Sequence, residues 1–232
     1  MASNTYTHLI LFDIDGTLVH CGATPRRIFK QALLEVFGTA GPIDAWIFDG
    51  KTDPMIVREL MAEAGVPCSR EMTERALFLY SEALQKELPK APDKKIYPGV
   101  RELLEELGKH PVLLGLLTGN IKRGARAKLE SLDLWKYFQF GAFADDAAGR
   151  KELAEIAVQR AFELSGREFT GKQIVIVGDT EHDINCGRHL GVKAIGVGTG
   201  RSSAAKLLEH GADRALEDFS DHRKAAREIL EG

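Results

Sequence analysis

Leu11-Phe12-Asp13-Ile14-Asp15-Gly16-Thr17-Leu18 follows directly on Leu9 and Ile10, so an apolar run long enough for a strand ends in two carboxylates. Asp13 and Asp15 stand two residues apart, and in extended backbone side chains at that spacing leave the same face. At ~5 Å and an effective dielectric of ~20 their repulsion is on the order of 3 kcal/mol, so the pair calls for a shared proton or a bound cation. Hard oxygen ligands of this kind favour magnesium. Gly16 permits an unusual backbone turn and Thr17 supplies a hydroxyl, both suited to an approaching phosphate. A lone Asp-x-Asp is equally what a solvated strand-end turn looks like, so the pair needs company elsewhere in the chain.

Two further polar clusters follow apolar runs. Val112 to Leu117 leads into Thr118-Gly119-Asn120, and Ile174 to Val177 leads into Gly178-Asp179-Thr180-Glu181-His182-Asp183-Ile184. In a doubly wound sheet the segments that follow strands emerge at one edge, so both clusters belong beside Asp13. Thr118 offers a hydroxyl and Asn120 amide hydrogens to a phosphoryl oxygen, where they would stabilise charge during transfer. Asp179 falls at a strand tip and Asp183 in the next turn, so the two can converge on one cation directly or at one remove. Each cluster also has a plainer reading: the first as a helix cap, and Asp183 as the cap of a helix beginning near Ile184.

A fourth apolar run, Ala194 to Val197, completes a set of strands buried on both faces. Gly99 to Gly108 and Glu152 to Leu164 carry apolar residues at helical spacing between these runs. Strands alternating with helices predict an α/β fold with a doubly wound, mostly parallel sheet. The stretch between the first two strands is too long for one crossover. It reads as an inserted α-helical unit with helices over 25–37, 53–64 and 71–88, followed by a proline-bearing return linker over 89–98. The expected division is a core of 1–19 and 95–232 with a helical insert at 20–94. His222 to Leu230 is a charged amphipathic helix laid over the core.

Composition narrows the function classes. A chain of 232 residues with 44% hydrophobic and 28% charged residues has the make-up of a folded soluble protein. Its formal charge of -3, with basic residues scattered, lacks the positive field that a nucleic-acid backbone requires. Apolar runs are too short for a membrane span, and the polar start from Met1 to His8 has no secretion signal, so cytoplasmic residence is the expectation. Cys21, Cys68 and Cys186 are odd in number and widely spaced, which fits buried thiols in a reducing compartment. Gly196-Val197-Gly198-Thr199-Gly200 lacks the dinucleotide-loop register and reads as a strand-to-loop turn. His182 and His189 form no zinc pattern.

Asp13-x-Asp-Gly-Thr, Leu-Thr118-Gly and Gly-Asp179-x-x-x-Asp183, in that order and each after an apolar strand, resemble the haloacid dehalogenase superfamily of phosphatases. The helical insertion after the first motif is similar to the cap of its phosphoglycolate phosphatase and beta-phosphoglucomutase branch, as is Gly50-Lys51-Thr52-Asp53. The resemblance implies that Asp13 attacks phosphorus to form an aspartyl-phosphate and that Asp15 acts as general acid and then base. It implies Mg2+ held by Asp13, the Asp15 main-chain carbonyl and Asp179, with Asp183 in support. Gly16, Thr17, Thr118, Gly119 and Asn120 would surround the phosphate, and Lys51 would reach substrate when the cap closes.

One element departs from the family pattern. The family's lysine followed by proline is replaced by Arg150-Lys151, either of which supplies a neutralising cation, with Arg150 favoured by position. The expected partner is a small phosphorylated metabolite, with no nucleic acid or membrane, and the chain a monomer or homodimer. A phosphomutase and a non-catalytic phosphate-binding module are the alternatives. Dehalogenase chemistry is disfavoured because that branch resembles Asp-x-Tyr at the first motif.

Overall fold

The computed structural model describes residues 6–231; residues 1–5, which begin the stretch read above as lacking a secretion signal, and Gly232 lie outside the described residues. The first strand, β1 (His8–Phe12), is followed by a two-residue strand β2 (Val19–His20) and by helices α1 (Thr24–Phe37), α2 (Asp53–Glu63) and α3 (Arg70–Glu87). The chain returns through β3 (Lys95–Ile96) to α4 (Val100–Leu107), β4 (Val112–Leu117), α5 (Lys122–Glu130) and β5 (Phe140–Ala142). It then alternates through α6 (Arg150–Ser165), β6 (Ile174–Gly178), α7 (Glu181–Leu190), β7 (Lys193–Val197), α8 (Ala204–Glu209), β8 (Arg214–Leu216) and α9 (His222–Leu230).

Six strands form one sheet in the order β5-β4-β1-β6-β7-β8, and every neighbouring pair is parallel. The expected α/β doubly wound sheet is therefore what the chain forms. Alternation along β1 sends Ile10 and Phe12 into one layer and Leu9 and Leu11 into the other. The first layer is covered by α4, α5 and α9, the second by α6 and Cys186 of α7. Because β4 and β5 lie on one side of β1 and β6, β7 and β8 on the other, the strand order reverses beside β1, and the loops after β1, β4 and β6 open onto one crevice.

The helices between β2 and β3 pack on each other and on the core. Phe29 of α1 stands edge-on to Tyr80 of α3 with ring centroids 4.8 Å apart, and both belong to the hydrophobic cluster that reaches β1 and β4. Ser69 starts α3 by accepting a hydrogen bond from the Met72 amide, as its residue type predicts. The chain leaves and re-enters the core through β2 and β3, which pair antiparallel.

Several elements went unread in the sequence. Strands β5 and β8 have three residues each, too few to show a period. Helix α5 reads Lys-Arg-Gly-Ala-Arg-Ala-Lys-Leu-Glu, with only one large apolar side chain to mark its inner face. Helix α7 begins at Glu181, not near Ile184, so Thr180 is its N-cap and Asp183 sits inside its first turn. Cys21 and Cys186 are buried, Cys68 partly so, and all three are free thiols. Among the described residues no helix is long and apolar enough to cross a membrane.

Gly99 precedes α4 with φ +75°, and a Cβ built there would lie 1.6 Å from the Phe219 carbonyl oxygen, a backbone atom that cannot step aside. Gly99→Ala should therefore combine a strained φ with a steric clash and cost on the order of 3 kcal/mol. Urea unfolding at neutral pH checks this; an unchanged midpoint would show that the approach of the two loops is not needed.

Candidate active site

Parallel pairing of β1 with β6 aligns Phe12 with Val177, so the residues just beyond the strand ends meet. The Asp13 amide donates to the Val177 carbonyl at 3.0 Å, which keeps the two loops in register past the strands. Asp13, Asp179 and Asp183 are all buried, and one oxygen from each lies within 4.8 Å of the others. Glycines make the crowding possible: a Cβ on Gly16 would fall 2.2 Å from an Asp179 oxygen, and one on Gly178 would fall 2.2 Å from the Asp183 carboxyl carbon. Gly16 also has φ +85°, a backbone state open to glycine. Thr199 and Gly200 complete this wall, Thr199 donating its hydroxyl to the Gly16 carbonyl. The glycine-rich turn after β7 thus buttresses the site.

Burial and mutual repulsion raise Asp13 and Asp179 well above the ordinary carboxylate range, with burial the larger cause for each. Arg150, in the first turn of α6, opposes this at Asp13, with Nη1 3.3 Å from Asp13 Oδ1, and it also pairs with Asp183. Fully ionised, three carboxylates facing one guanidinium would carry an excess of buried negative charge, which the raised carboxyls avoid by holding protons. A divalent cation among these oxygens would offset it, and hard carboxylate donors are the set that such ions take. The residues present therefore fit a metal ion.

Only Arg150 of the two candidate cations enters the site. Lys151, expected as an equal candidate, is exposed, because successive helical residues point about 100° apart and α6 can aim one of them inward. Arg150 Nε is buried and is the single such side-chain atom without a partner among the described residues. Asp183 accepts from the Thr180 amide at 3.1 Å and hydroxyl at 2.7 Å, so it caps the start of α7 as well as holding Arg150.

Several expected phosphate contacts have protein partners instead. The Thr17 hydroxyl donates to Asp179 Oδ1 at 3.0 Å, and the Asn120 amide donates to Asp15 Oδ2 and Thr118 Oγ1, each at 2.8 Å. Thr118 is fully buried, and its oxygen also accepts from the Asn120 main-chain N–H at 3.3 Å. The Asp15 carboxylate is no part of the three-carboxylate group. It is held by Lys128 Nζ at 2.6 Å, and the same ammonium donates to Asn120 Oδ1 at 2.6 Å. Lys128 escaped notice because it lies in a basic run that reads as a solvated helix face.

Residues 49–53, which end the α1–α2 connection and open α2, lie across this edge. Arg201 pairs with Asp49, Gly50 faces the His182 ring, and the Thr52 hydroxyl donates to the Ala148 carbonyl. Gly119 comes so close to the Lys51 carbonyl that a Cβ would fall 2.2 Å from it. Asp53 accepts from the Ile121 amide at 2.8 Å, and burial pushes its carboxyl up to about 6. Lys51, expected to reach substrate when the cap closes, lines the pocket at this edge but pairs with Glu59 and lies over the Trp46 ring. Together these walls enclose a pocket of about 430 Å³ lined by Asp13, Asp15, Lys51, Thr118, Asn120 and Arg150 among others.

The family model described as haloacid dehalogenase-like hydrolase matches residues 10–197, which include all four acidic positions and Arg150. The chain belongs to this family. Among curated relatives, the "Probable phosphatase IndB" of Dickeya dadantii is 28% identical over 96% of this chain and 94% of that protein. A phosphoglycolate phosphatase of Pseudomonas syringae pv. tomato is 27% identical over 91% of this chain and 76% of that one. Among solved structures, a hydrolase from Pseudomonas syringae superposes with a TM-score of 0.70 at 22% identity, covering 96% of this chain and 99% of its own. CbbY from Rhodobacter sphaeroides, solved in complex with phosphate, gives 0.69 at 17% identity over 93% and 96% of the two chains. These two share the fold.

The raised carboxyls of this haloacid dehalogenase-like hydrolase make its stability depend on pH. Native Asp13 and Asp179 retain protons that the unfolded chain has released, so their contribution is greatest below the ordinary carboxylate range and is lost as pH rises through the native values. Without metal, the melting temperature should fall between about pH 5 and about pH 8, and a divalent cation should restore more at the higher pH. Thermal melts with and without added metal, at constant ionic strength, read this out. An equal gain at both ends would refute the linkage.

Proposed function

We propose that the chain is a Mg2+-dependent phosphatase acting on a small phosphorylated metabolite of the phosphoglycolate kind, through an aspartyl-phosphate on Asp13. The observation that carries this reading is the juxtaposition of Asp13 with Asp179, Asp183 and Arg150, of which Asp13, Asp179 and Arg150 line a small pocket. A volume of about 430 Å³ suits a small metabolite. The unmet donor of Arg150 accords with an anionic ligand.

In this reading an Asp13 oxygen attacks phosphorus as the bond to the leaving oxygen breaks, and that oxygen takes a proton from Asp15. Asp15 then accepts a proton from the water that cleaves the acyl phosphate. Asp13, the Asp15 main-chain carbonyl, Asp179 and Asp183 would hold Mg2+, which neutralises charge on the nucleophile and the phosphoryl oxygens when bound. Arg150 holds Asp13 and meets the phosphoryl group with positive charge, and the Gly16, Thr17, Thr118, Gly119 and Asn120 loops shape its cradle. Residues 20–94 serve as the cap, with Lys51 near the mouth.

Phosphate release from 2-phosphoglycolate and from p-nitrophenyl phosphate should require Mg2+ and stop on chelation. Asp13→Asn should lower kcat by about 10³-fold or more with no loss of melting temperature, since an amide cannot attack. Turnover surviving in that variant would remove Asp13 as nucleophile. Rearrangement of a sugar phosphate without release of phosphate would assign the chain to the phosphomutases.

A further inference from the structure

Lys128 is an unexpected occupant of this site. It is buried on α5, and a buried ammonium is costly unless charged or polar partners surround it. Burial opposes its charge, but Asp15 foremost, with Tyr80, Cys21 and Asp53 after it, holds it protonated above the usual lysine range. Its contacts are specific. Donation to Asn120 Oδ1 fixes which way that amide faces, so Asn120 Nδ2 is presented to Asp15. Lys128 and Asn120 thereby both donate to one oxygen of Asp15, Oδ2. Among the described residues no side chain or amide donates to the other oxygen, Oδ1, and the Asp15 side chain is 43% exposed toward the pocket it lines.

We infer that Lys128 is a positioning residue for Asp15: together with Asn120 it anchors one carboxylate oxygen and leaves the other aimed at the oxygen that leaves phosphorus. The inference rests on reading Asp15 as the group that moves the proton. A carboxylate on a loop beyond a strand end would otherwise sample several rotamers, and a misplacement of about 1 Å at a reacting group costs about 10²-fold in rate. As P–O breaks, the bond's electron pair stays on the leaving oxygen, and the proton from the free Asp15 oxygen neutralises it. Lys128 itself neither gains nor loses a proton.

A double-mutant cycle on a series of substituted phenyl phosphates of falling leaving-group acidity tests this. Lys128→Met, which keeps the volume and removes the donor, should lower kcat/KM for the poorest leaving group by about 10²-fold. The loss should shrink steadily toward p-nitrophenyl phosphate, and Lys128→Arg should restore part of it. In an Asp15→Asn background the same Lys128→Met change should alter kcat/KM by no more than about twofold, because its route of action is already gone. A full further loss in that background, or an equal loss across all leaving groups, overturns the inference and makes Lys128 a direct contact to the phosphoryl group or a packing residue. If Asp15→Asn alone leaves the poor leaving groups at wild-type rates, the proton-transfer role of Asp15 falls, and the inference with it.

Discussion

Like charge held out of water governs the architecture of this edge of the sheet. Three carboxylates share a buried neighbourhood only because the surrounding backbone is stripped to glycine at Gly16, Gly178 and Gly200, and because donors converge on it. Thr17 serves Asp179, Thr180 serves Asp183, and Arg150 bridges Asp183 and Asp13. The parallel pairing of β1 and β6 sets the spacing, since it delivers Asp13 and Asp179 from adjacent strand ends. A second ionic cluster, built from Asp15, Asn120 and Lys128, sits beside the first. Asp13 and Asp15, two residues apart, are thus partnered with different cations, which eases the repulsion that their spacing creates.

Much of this was legible in the chain because burial and chemistry coincide at strand ends. Apolar runs announce β1, β4, β6 and β7, and whatever polar residues follow them must emerge at the same edge once the strands run parallel. Residue type was a weaker guide to partners. A threonine or asparagine at that edge can serve a ligand or a neighbouring side chain, and Thr17 and Asn120 both turn to protein groups. Lys128 was hidden for a related reason. Its helix carries Lys122, Arg123 and Arg126 on the exposed side, so a fourth basic residue looked like more of the same until the helix was placed against Tyr80 and Asp15. The short strands β5 and β8 have no periodicity to read; the longer strands beside them provide the template.

The helical insert joins the rest of the molecule by packing as well as by sequence continuity. Apolar side chains of α1, α2 and α3 belong to the same buried cluster as Ile10, Phe12 and Leu116 of the sheet. Polar joints supplement this where the insert meets the loops, and Asp53 is the most deeply committed of them, since its carboxylate serves the amide that starts α5. Sequence periodicity found the three helices but not this joint, because Asp53 at the start of a helix has an ordinary local explanation.

The stretch 49–53 rests on residues that follow four different strands: Gly119 and Ile121 after β4, Ala148 after β5, His182 after β6 and Arg201 after β7. Such a stretch is a common bearing. Loops from four strand ends thus share one support, and a shift in any of them changes a contact of the same five residues, the last of which opens α2 and lines the pocket.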